Sequence, residues 1–171
     1  MMPRNLSLRE QDDADADAVI VRRAHASDPR WAMMATWPVM MVAALRDQQQ
    51  LAQERHLAAL HPHADKLMIL VDGIAVGRLV VDRDAGSWHL VDLALIAEAQ
   101  GVGIGTAVLR RLLGDAARAN VGVVLEVGVD NPRADVFYRR LGFMDAPGCN
   151  ELQRRLRWEP YAAGRREALP P

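Results

Sequence analysis

The sequence contains a single cysteine, Cys149, among its 171 residues. One thiol excludes a disulfide within the chain and any zinc site built from several cysteines. The chain also lacks an excess of charge of one sign, because 21 lysines and arginines stand against 22 aspartates and glutamates, a formal net charge of -1. This balance argues against an overall attraction to nucleic acid or to an acidic membrane surface. We therefore expect no nucleic-acid partner and a reducing, cytoplasmic location.

Long apolar runs are absent too. No stretch reaches the length of about 18 consecutive apolar residues that a membrane-spanning helix needs. The opening residues MMPRNLSLREQDDADADAV turn acidic where a signal peptide has its apolar segment. Hydrophobic residues make up 50% of the chain and charged residues 25%, which is typical of a soluble globular domain. We expect one domain over residues 1–158, no contact with a membrane, and a flexible tail over residues 159–171.

Turn signals and apolar runs predict a sheet. Asp72-Gly73 between two apolar runs is a hairpin signature, and Asp84-Ala85-Gly86 marks a second reversal, so three antiparallel strands follow one another. A β-branched run, VGVVLEVGV, is typical of a buried strand farther along the chain. Strands are therefore predicted over residues 5–10, 66–71, 74–82, 87–96, 121–129 and 151–157.

Apolar residues at helical spacing predict helices around these strands. The acidic run Asp12, Asp13, Asp15, Asp17 suits a helix N-terminus, where carboxylates meet the positive end of the dipole. Helices are predicted over residues 37–60, 103–119 and from Asn131-Pro132 to Gly142. In the first of these, the residues expected to face inward are Trp37, Met41, Ala44, Leu45, Leu51, Ala52 and Leu60, with Asp47, Gln49, Gln50 and Glu54 outside the stripe.

Three alternate glycines stand directly before one predicted helix, in EAQGVGIGTAVLRRLL at residues 98–113. Bare backbone beside the unpaired N–H groups of a first helical turn suits an anion, most often a phosphate. A nucleotide-triphosphate loop would need a lysine followed by serine or threonine, which is missing here. A dinucleotide loop would need G-x-G-x-x-G inside a βαβ unit, whereas three antiparallel strands precede this G-x-G-x-G. The remaining interpretation is a loop that binds coenzyme A.

Two segments resemble the signatures of the GNAT family of N-acetyltransferases. QGVGIG at residues 100–105 is similar to Q/R-x-x-G-x-G/A, and NPRADVFYRRLGF at 131–143 is similar to N-x-x-A-x-x-x-Y-x-x-x-G-F. Both occur in the family's order and separation, and the resemblance covers roughly residues 66–145. It implies an α/β (α+β) fold in which helices flank a mixed, mostly antiparallel sheet of about six to seven strands.

The resemblance also implies acetyl-CoA as cosubstrate and no metal. Backbone groups of Leu93 and Leu95 would hold the pantetheine arm, and the N–H of Leu95 would stabilise the oxyanion of the reaction. Asn131 would contact the cofactor as well as cap its helix. The remaining expected cofactor-binding positions lie in or beside the loop that holds the pyrophosphate: Gln100, Gly101, Val102, Gly103, Ile104, Gly105 and Thr106, together with Tyr138.

The family's usual general acid matches Tyr138, whose phenol stays protonated at neutral pH and donates to the departing thiolate. The attacking amine must lose a proton, and two residues stand where family members place a base, Glu126 and His89. We favour Glu126 and leave His89 open. Strand alternation places Asp92 on the opposite face from Leu93.

We therefore predict an N-acetyltransferase that moves acetyl from acetyl-CoA to a primary amine of a small molecule or peptide, by direct attack in a ternary complex. A homodimer is one option for its assembly. A second hypothesis is a non-catalytic sensor or interaction module that binds CoA or acyl-CoA. A third, disfavoured by the net charge, is an acyltransferase directed to nucleic acid by a basic groove, which Arg139, Arg140, Arg154 and Arg155 would form.

Overall fold

The computed structural model describes residues 5–12, 15–83 and 86–160. Its strands form one seven-stranded sheet in the order β1-β2-β3-β4-β5-β7-β6. All neighbouring pairs are antiparallel except the parallel pair β4 and β5. The predicted mixed, mostly antiparallel sheet is confirmed, with its strand count at the upper end. In chain order the strands are β1 (Leu6–Glu10), β2 (Asp65–Val71), β3 (Ile74–Asp82), β4 (Ser87–Leu95), β5 (Gly122–Gly128), β6 (Met144–Asp145) and β7 (Gln153–Trp158).

Four α-helices accompany the sheet, and two of them follow their sequence signals closely. They are α1 (Asp15–Ala26), α2 (Val39–Leu60), α3 (Ile104–Ala119) and α4 (Pro132–Arg140), with 3-10 turns at Pro29–Met34 and Ala97–Ala99. The side chain of Asn131 caps α4 by accepting from the Ala134 N–H at 3.1 Å. None of these helices, within the described ranges, is both long and apolar enough to cross a bilayer. Asp13, Asp84, Ala85 and residues 161–171, which include most of the expected tail, lie outside the described residues.

The acidic run does begin a helix, and one of its members also ties that helix to the sheet. Asp17 accepts two hydrogen bonds from the Arg9 guanidinium of β1, at 2.8 and 3.1 Å, and one from the Asp12 N–H at 2.7 Å. The hydrogen bond from Arg9 is the main reason that the pKa of Asp17 lies below its ordinary value. Asp17 therefore anchors α1 to the first strand in its ionised form.

The sheet opens between β4 and β5. These strands pair over three residues only, from Ser87 opposite Gly122 to His89 opposite Val124, and β4 continues to Leu95 without further pairing to β5. At the far end of β4 the Ile96 N–H donates to the Val76 carbonyl of β3 at 2.9 Å. Since backbone groups alternate in direction along a strand, the N–H groups of Leu93 and Leu95 point away from β3, toward this opening.

The core is formed mainly by α3 against the sheet. Val108, Leu109, Leu112 and Ala116 are all buried. They pack in one cluster with inward residues of the central strands, such as Leu79. Each fully buried valine or leucine among them contributes about 1.5–3 kcal/mol relative to an exposed one. The packing fixes the N-terminus of α3 beside the opening in the sheet.

The predicted inward face of α2 is wrong. Met41, Leu51 and Leu60 are exposed, and the buried residues of the helix are Val42 and Leu57. Glu54, expected outside, is partly buried and forms an ion pair with the buried Arg78 of β3. Because a buried guanidinium is costly unless it is paired, this contact and not the apolar periodicity orients the helix.

Candidate active site

A cavity of about 940 Å³ occupies the opening between β4 and β5. Its walls come from Leu90–Leu95 on one side and Glu126–Gly128 on the other, with α4 and the glycine loop closing the ends. The sheet opening therefore becomes a site because four separate elements end at it. Most of the residues predicted to bind cofactor line it, namely Leu93, Leu95, Gln100, Gly101, Gly103, Gly105, Thr106, Asn131 and Tyr138.

The glycine loop has the backbone geometry of an anion cradle. Gly101 and Gly103 have φ of +74° and +90°, in the left-handed region, and α3 begins directly after Gly103. The first N–H groups of a helix have no partner inside it, so those at the start of α3 remain available beside the cavity. A Cβ added at Gly101 or Gly103 would meet nothing within 4 Å, so the space over the loop is open to a ligand. These features fit a pyrophosphate.

Two glycines of this region provide a matched stability test. We expect Gly103→Ala to lower the free energy of unfolding by about 1–2 kcal/mol, because an alanine is strained at positive φ. We expect Gly114→Ala, inside α3, to raise it by about 0.5–1 kcal/mol. A Cβ at Gly114 would have only Arg118 Nη1 nearby, at 3.9 Å. Urea unfolding of both variants measures the two effects, and equal effects would contradict the left-handed conformation of the loop.

The other positions predicted in the loop act through different atoms. The Gln100 side chain donates to the Leu95 carbonyl at 2.9 Å and to the Ser27 carbonyl at 3.3 Å, so it joins the loop to β4 and to the end of α1. Ile104 is buried in the core, and the Val102 side chain is exposed. Neither side chain lines the cavity. Val102 and Ile104 can therefore meet a cofactor only through their backbone.

Tyr138 lies on the inner face of α4 and lines the cavity. Its ring is held between Phe137 and Phe143, with centroid distances of 5.3 and 5.7 Å. Burial, and to a smaller extent the negative charge of Asp92, raise the pKa of the phenol well above its ordinary value of 10.0. Both effects disfavour the phenolate, so Tyr138 stays protonated over the whole physiological range.

The two candidate bases form one pair. His89 Nε2 lies 2.5 Å from Glu126 Oε2, and Arg155 Nε lies 3.6 Å from the other carboxylate oxygen. The hydrogen bond from His89 is the main reason that the pKa of Glu126 lies below its ordinary value of 4.5. Glu126 lines the cavity whereas His89 stands behind it. The structure thus brings Glu126 and His89 together from neighbouring strands. Of the two, only Glu126 lines the cavity.

A second polar cluster borders the cavity and was not identified from the sequence as functional. Asp92 Oδ2 accepts from Arg78 Nη2 at 2.8 Å and lies 3.1 Å from His25 Nε2. Burial raises the pKa of Asp92, but the hydrogen bonds and charges of His25 and Arg78 outweigh it and leave the pKa below its ordinary value. Alternation correctly placed Asp92 away from Leu93, on the face that α1 and α2 cover. The pairing with His25 carried no local sequence signal.

A second pair of imidazole and carboxylate, His61 and Asp82, lies behind His89. The His61 ring meets the His89 ring edge to face at 4.8 Å, and His61 Nδ1 lies 2.7 Å from Asp82 Oδ2. Among the described residues, no group of three or more His, Cys, Asp or Glu side chains is arranged to hold a metal ion. Both imidazoles are instead held by carboxylates, which fixes their orientation behind Glu126.

The family model described as "Acetyltransferase (GNAT) family" matches residues 28–143. The chain belongs to the GNAT acetyltransferase family. The predicted family is therefore confirmed, and the match includes the glycine loop, both candidate bases and Tyr138.

Three individual proteins to which this chain is similar are also named as acetyltransferases. An uncharacterised N-acetyltransferase of Methanocaldococcus jannaschii is 41% identical over 78 residues, which are 44% of this chain and 49% of that protein. The matched part thus spans about half the length of this curated relative. The PaiA N-acetyltransferase of Thermoplasma acidophilum, solved with coenzyme A, has a TM-score of 0.65 at 16% identity over 91% of this chain and 99% of that one. An acetyltransferase of Thermus thermophilus has a TM-score of 0.64 at 18% identity over 93% and 99%. These structures are similar in fold.

The arginines considered for a nucleic-acid groove are largely engaged with carboxylates. Arg139 pairs with Asp135 at 2.9 Å and with Asp145 at 2.7 Å, and Arg155 faces Glu126. Arg154 lies 4.0 Å from Asp135. Neutralised guanidinium groups contribute little to binding a phosphate backbone, so this third hypothesis receives no support from the geometry.

Proposed function

We propose that the chain is an acetyl-CoA-dependent N-acetyltransferase that acts on a primary amine. The observation that carries the proposal is the meeting, in one cavity, of the glycine loop, the open edge of β4, Tyr138 and Glu126. When bound, acetyl-CoA supplies the activated acetyl thioester that a free amine attacks. The backbone N–H groups of residues 101–106 would hold its pyrophosphate, and those of Leu93 and Leu95 would hold the pantetheine arm and the carbonyl oxygen.

Glu126 receives the proton of the acceptor ammonium. A lysine-like ammonium has a pKa of about 10.4 and is not nucleophilic at neutral pH. The hydrogen bond with His89 engages Oε2 and keeps Glu126 ionised and oriented. The substrate proton would then go to Oε1, which lies 3.6 Å from Arg155 Nε. A carboxylate of lowered pKa is a weak base, so its main contribution is position at the cavity wall. His89 is the positioning residue in this assignment.

Tyr138 donates its proton to the thiolate that leaves. Its raised pKa keeps the proton on the phenol until that charge develops. The proposed base, Glu126, lies on β5, and the proposed acid, Tyr138, lies on α4. Both line the same cavity.

Replacing Glu126 by glutamine is expected to lower kcat/KM for the amine by about 100-fold at neutral pH, the usual size of general-base catalysis. The loss should shrink as the pH approaches the pKa of the amine, because free amine then comes from solution without a base. Release of free thiol from acetyl-CoA over a panel of amines and a pH series measures both effects. Glu151→Gln, at an exposed glutamate outside the cavity, is the matched control.

The same measurement tests the alternative of a CoA-binding sensor. Tight binding of CoA with no amine raising thiol release above hydrolysis would favour the sensor. Absence of CoA binding would overturn both proposals. If turnover in Glu126→Gln equals that of the wild type at every pH, Glu126 is not the base. The proposal of an N-acetyltransferase then still stands.

A further inference from the structure

The outer face of α2 carries apolar residues that no described residue covers. Of the 22 residues of this helix, Val42 and Leu57 are the buried ones. Met40 and Leu51, on the opposite side, are 82% and 52% exposed. Most of the stability of a helix in a protein comes from packing one of its faces against other elements. The described part of the chain gives α2 little of that packing, and a second surface on its outer face would supply more.

Five exposed residues form a stripe along this outer face: Ala44, Asp47, Leu51, Arg55 and Ala58. Their spacing of three or four residues places them on one side of the helix, over a length of about 21 Å. The stripe is symmetric about Leu51 in size and position, with an alanine at each end. It is antisymmetric in charge, because Asp47 and Arg55 lie at equal distances on either side. Such a stripe is complementary to a second copy of itself that runs in the opposite direction.

A twofold axis at Leu51 brings these matching residues together. In two antiparallel α2 helices related by this axis, Leu51 packs against Leu51 of the second copy and each Ala44 faces an Ala58. Small side chains at both ends allow the helix axes to approach to about 8–10 Å. Asp47 of each copy then faces Arg55 of the other, and the symmetry makes this pair occur twice.

Both charges are available for such a contact. In the described part of the chain, neither Asp47 nor Arg55 forms an ion pair, and both side chains are exposed. The glutamate of the same helix, Glu54, is instead engaged with Arg78 of β3. A parallel arrangement would bring Asp47 beside Asp47 and Arg55 beside Arg55, and like charges across an interface repel. Charge complementarity therefore favours the antiparallel pair.

We propose that the outer face of α2 is the interface of a homodimer, in which two α2 helices pair antiparallel about a twofold axis at Leu51. The active-site cavity stays open in this arrangement, because the α2 residue that lines it, Gln53, lies on the inner side with Val42 and Leu57. One helix pair is a small interface, so we expect a reversible dimer with a Kd of about 10 µM. The proposal does not depend on the chemistry at the cavity.

Analytical ultracentrifugation of the full chain tests the association. A reductant is present so that Cys149 does not cross-link two copies. Between about 1 and 200 µM, we expect the mass to rise from 18.9 kDa toward twice that value. Leu51→Glu places two carboxylates on the axis and should keep the protein at the mass of one chain. Val19→Glu, at a 43% exposed apolar residue of α1, is the matched control and should dimerise like the wild type.

Charge reversal tests the register of the two helices. Asp47→Arg and Arg55→Asp each place two like-charged pairs across the axis, and we expect each to raise Kd about 100-fold or more. In an equimolar mixture of these two variants, the mixed dimer again has two pairs of opposite charge, so the doubled mass should return. The variant that carries both substitutions should dimerise like the wild type. Arg110→Asp, exposed on α3, is the control for a change of charge alone.

Three results would overturn the proposal. A wild-type protein that keeps the mass of one chain at the highest concentration does not form the dimer. A Kd that is unchanged by either charge reversal shows that the dimer uses another face. A mixture of Asp47→Arg and Arg55→Asp that stays at the mass of one chain excludes the antiparallel register. Recovery of the dimer by mixing two chains that each fail alone cannot result from misfolding.

Thermal unfolding distinguishes a second copy from a segment of the same chain as the occupant of the stripe. If a second copy covers it, the wild-type Tm rises with protein concentration, and Leu51→Glu has the Tm of the dilute wild type at every concentration. If another part of the same chain covers the stripe, Leu51→Glu lowers Tm even in dilute solution. That second result would also overturn the proposal.

Discussion

Replacing Tyr138 by phenylalanine is expected to lower kcat about 100-fold or more while the affinity for CoA stays unchanged. General acid catalysis typically contributes 10²–10⁴-fold, and Tyr138 is the phenol at the cavity between Phe137 and Phe143. Removing one hydroxyl keeps the ring packing, so the protein should remain folded. Thiol release at saturating amine measures kcat, and calorimetry with CoA measures binding.

An acyl donor with a more acidic thiol provides the control for this assignment. Such a thiol leaves without a proton, so the loss in Tyr138→Phe should become much smaller with an acetyl thioester of this kind. An equal loss with both donors would show that the hydroxyl acts in something other than protonating the leaving group. Because the pKa of Tyr138 is raised, we also expect no fall in kcat from its ionisation between pH 7 and about pH 10.

Replacing Arg78 by methionine is expected to lower the free energy of unfolding by about 3–5 kcal/mol, the typical cost of removing one partner of a buried ion pair. The Arg78 side chain is 1% exposed and pairs with Asp92 on β4 and Glu54 on α2. Without it, Asp92 would be a buried carboxylate held by His25 alone. Urea unfolding of the variant, with the slope m compared with that of the wild type, measures the loss.

The loss in the free energy of unfolding should depend on how deeply the arginine is buried and on whether its partner is left as a buried charge. Arg118→Met removes a pair with Asp115 on an arginine that is 77% exposed, and we expect a change of about 0.5 kcal/mol or less. Adding Asp92→Leu to Arg78→Met removes the uncompensated charge and should restore a large part of the stability. If the double variant is no more stable than Arg78→Met, the cost lies in lost packing and not in the buried charge.

Local sequence signals predicted the parts of the site that depend on neighbours in the chain. The alternate glycines predicted a loop that the structure holds at positive φ, and Asn131-Pro132 predicted the start of α4. Asp72-Gly73 predicted the hairpin between β2 and β3, where Asp72 has a φ of +51°. Each of these depends on backbone preferences over a few residues, which tertiary contacts did not override.

The face of α2 could not be predicted in the same way. The rule that apolar residues face inward assumes an apolar partner surface, and α2 covers a strand that carries the buried Arg78. Glu54 therefore turns inward while Leu51 and Leu60 are exposed. A polar residue on an otherwise ordinary helix gives no sign of this until its partner, 24 residues away, is known to be buried.

The sequence by itself determined the family and the main run of strands, and it led to the proposals for the glycine loop, Tyr138 and the two candidate bases. Only the tertiary structure joined His89 to Glu126, Asp92 to His25 and Glu54 to Arg78. The physical reason is that these pairs depend on the register of strands and the docking of helices. His25 and Asp92 are 67 residues apart in the chain, and no local preference of either residue encodes the 3.1 Å between them.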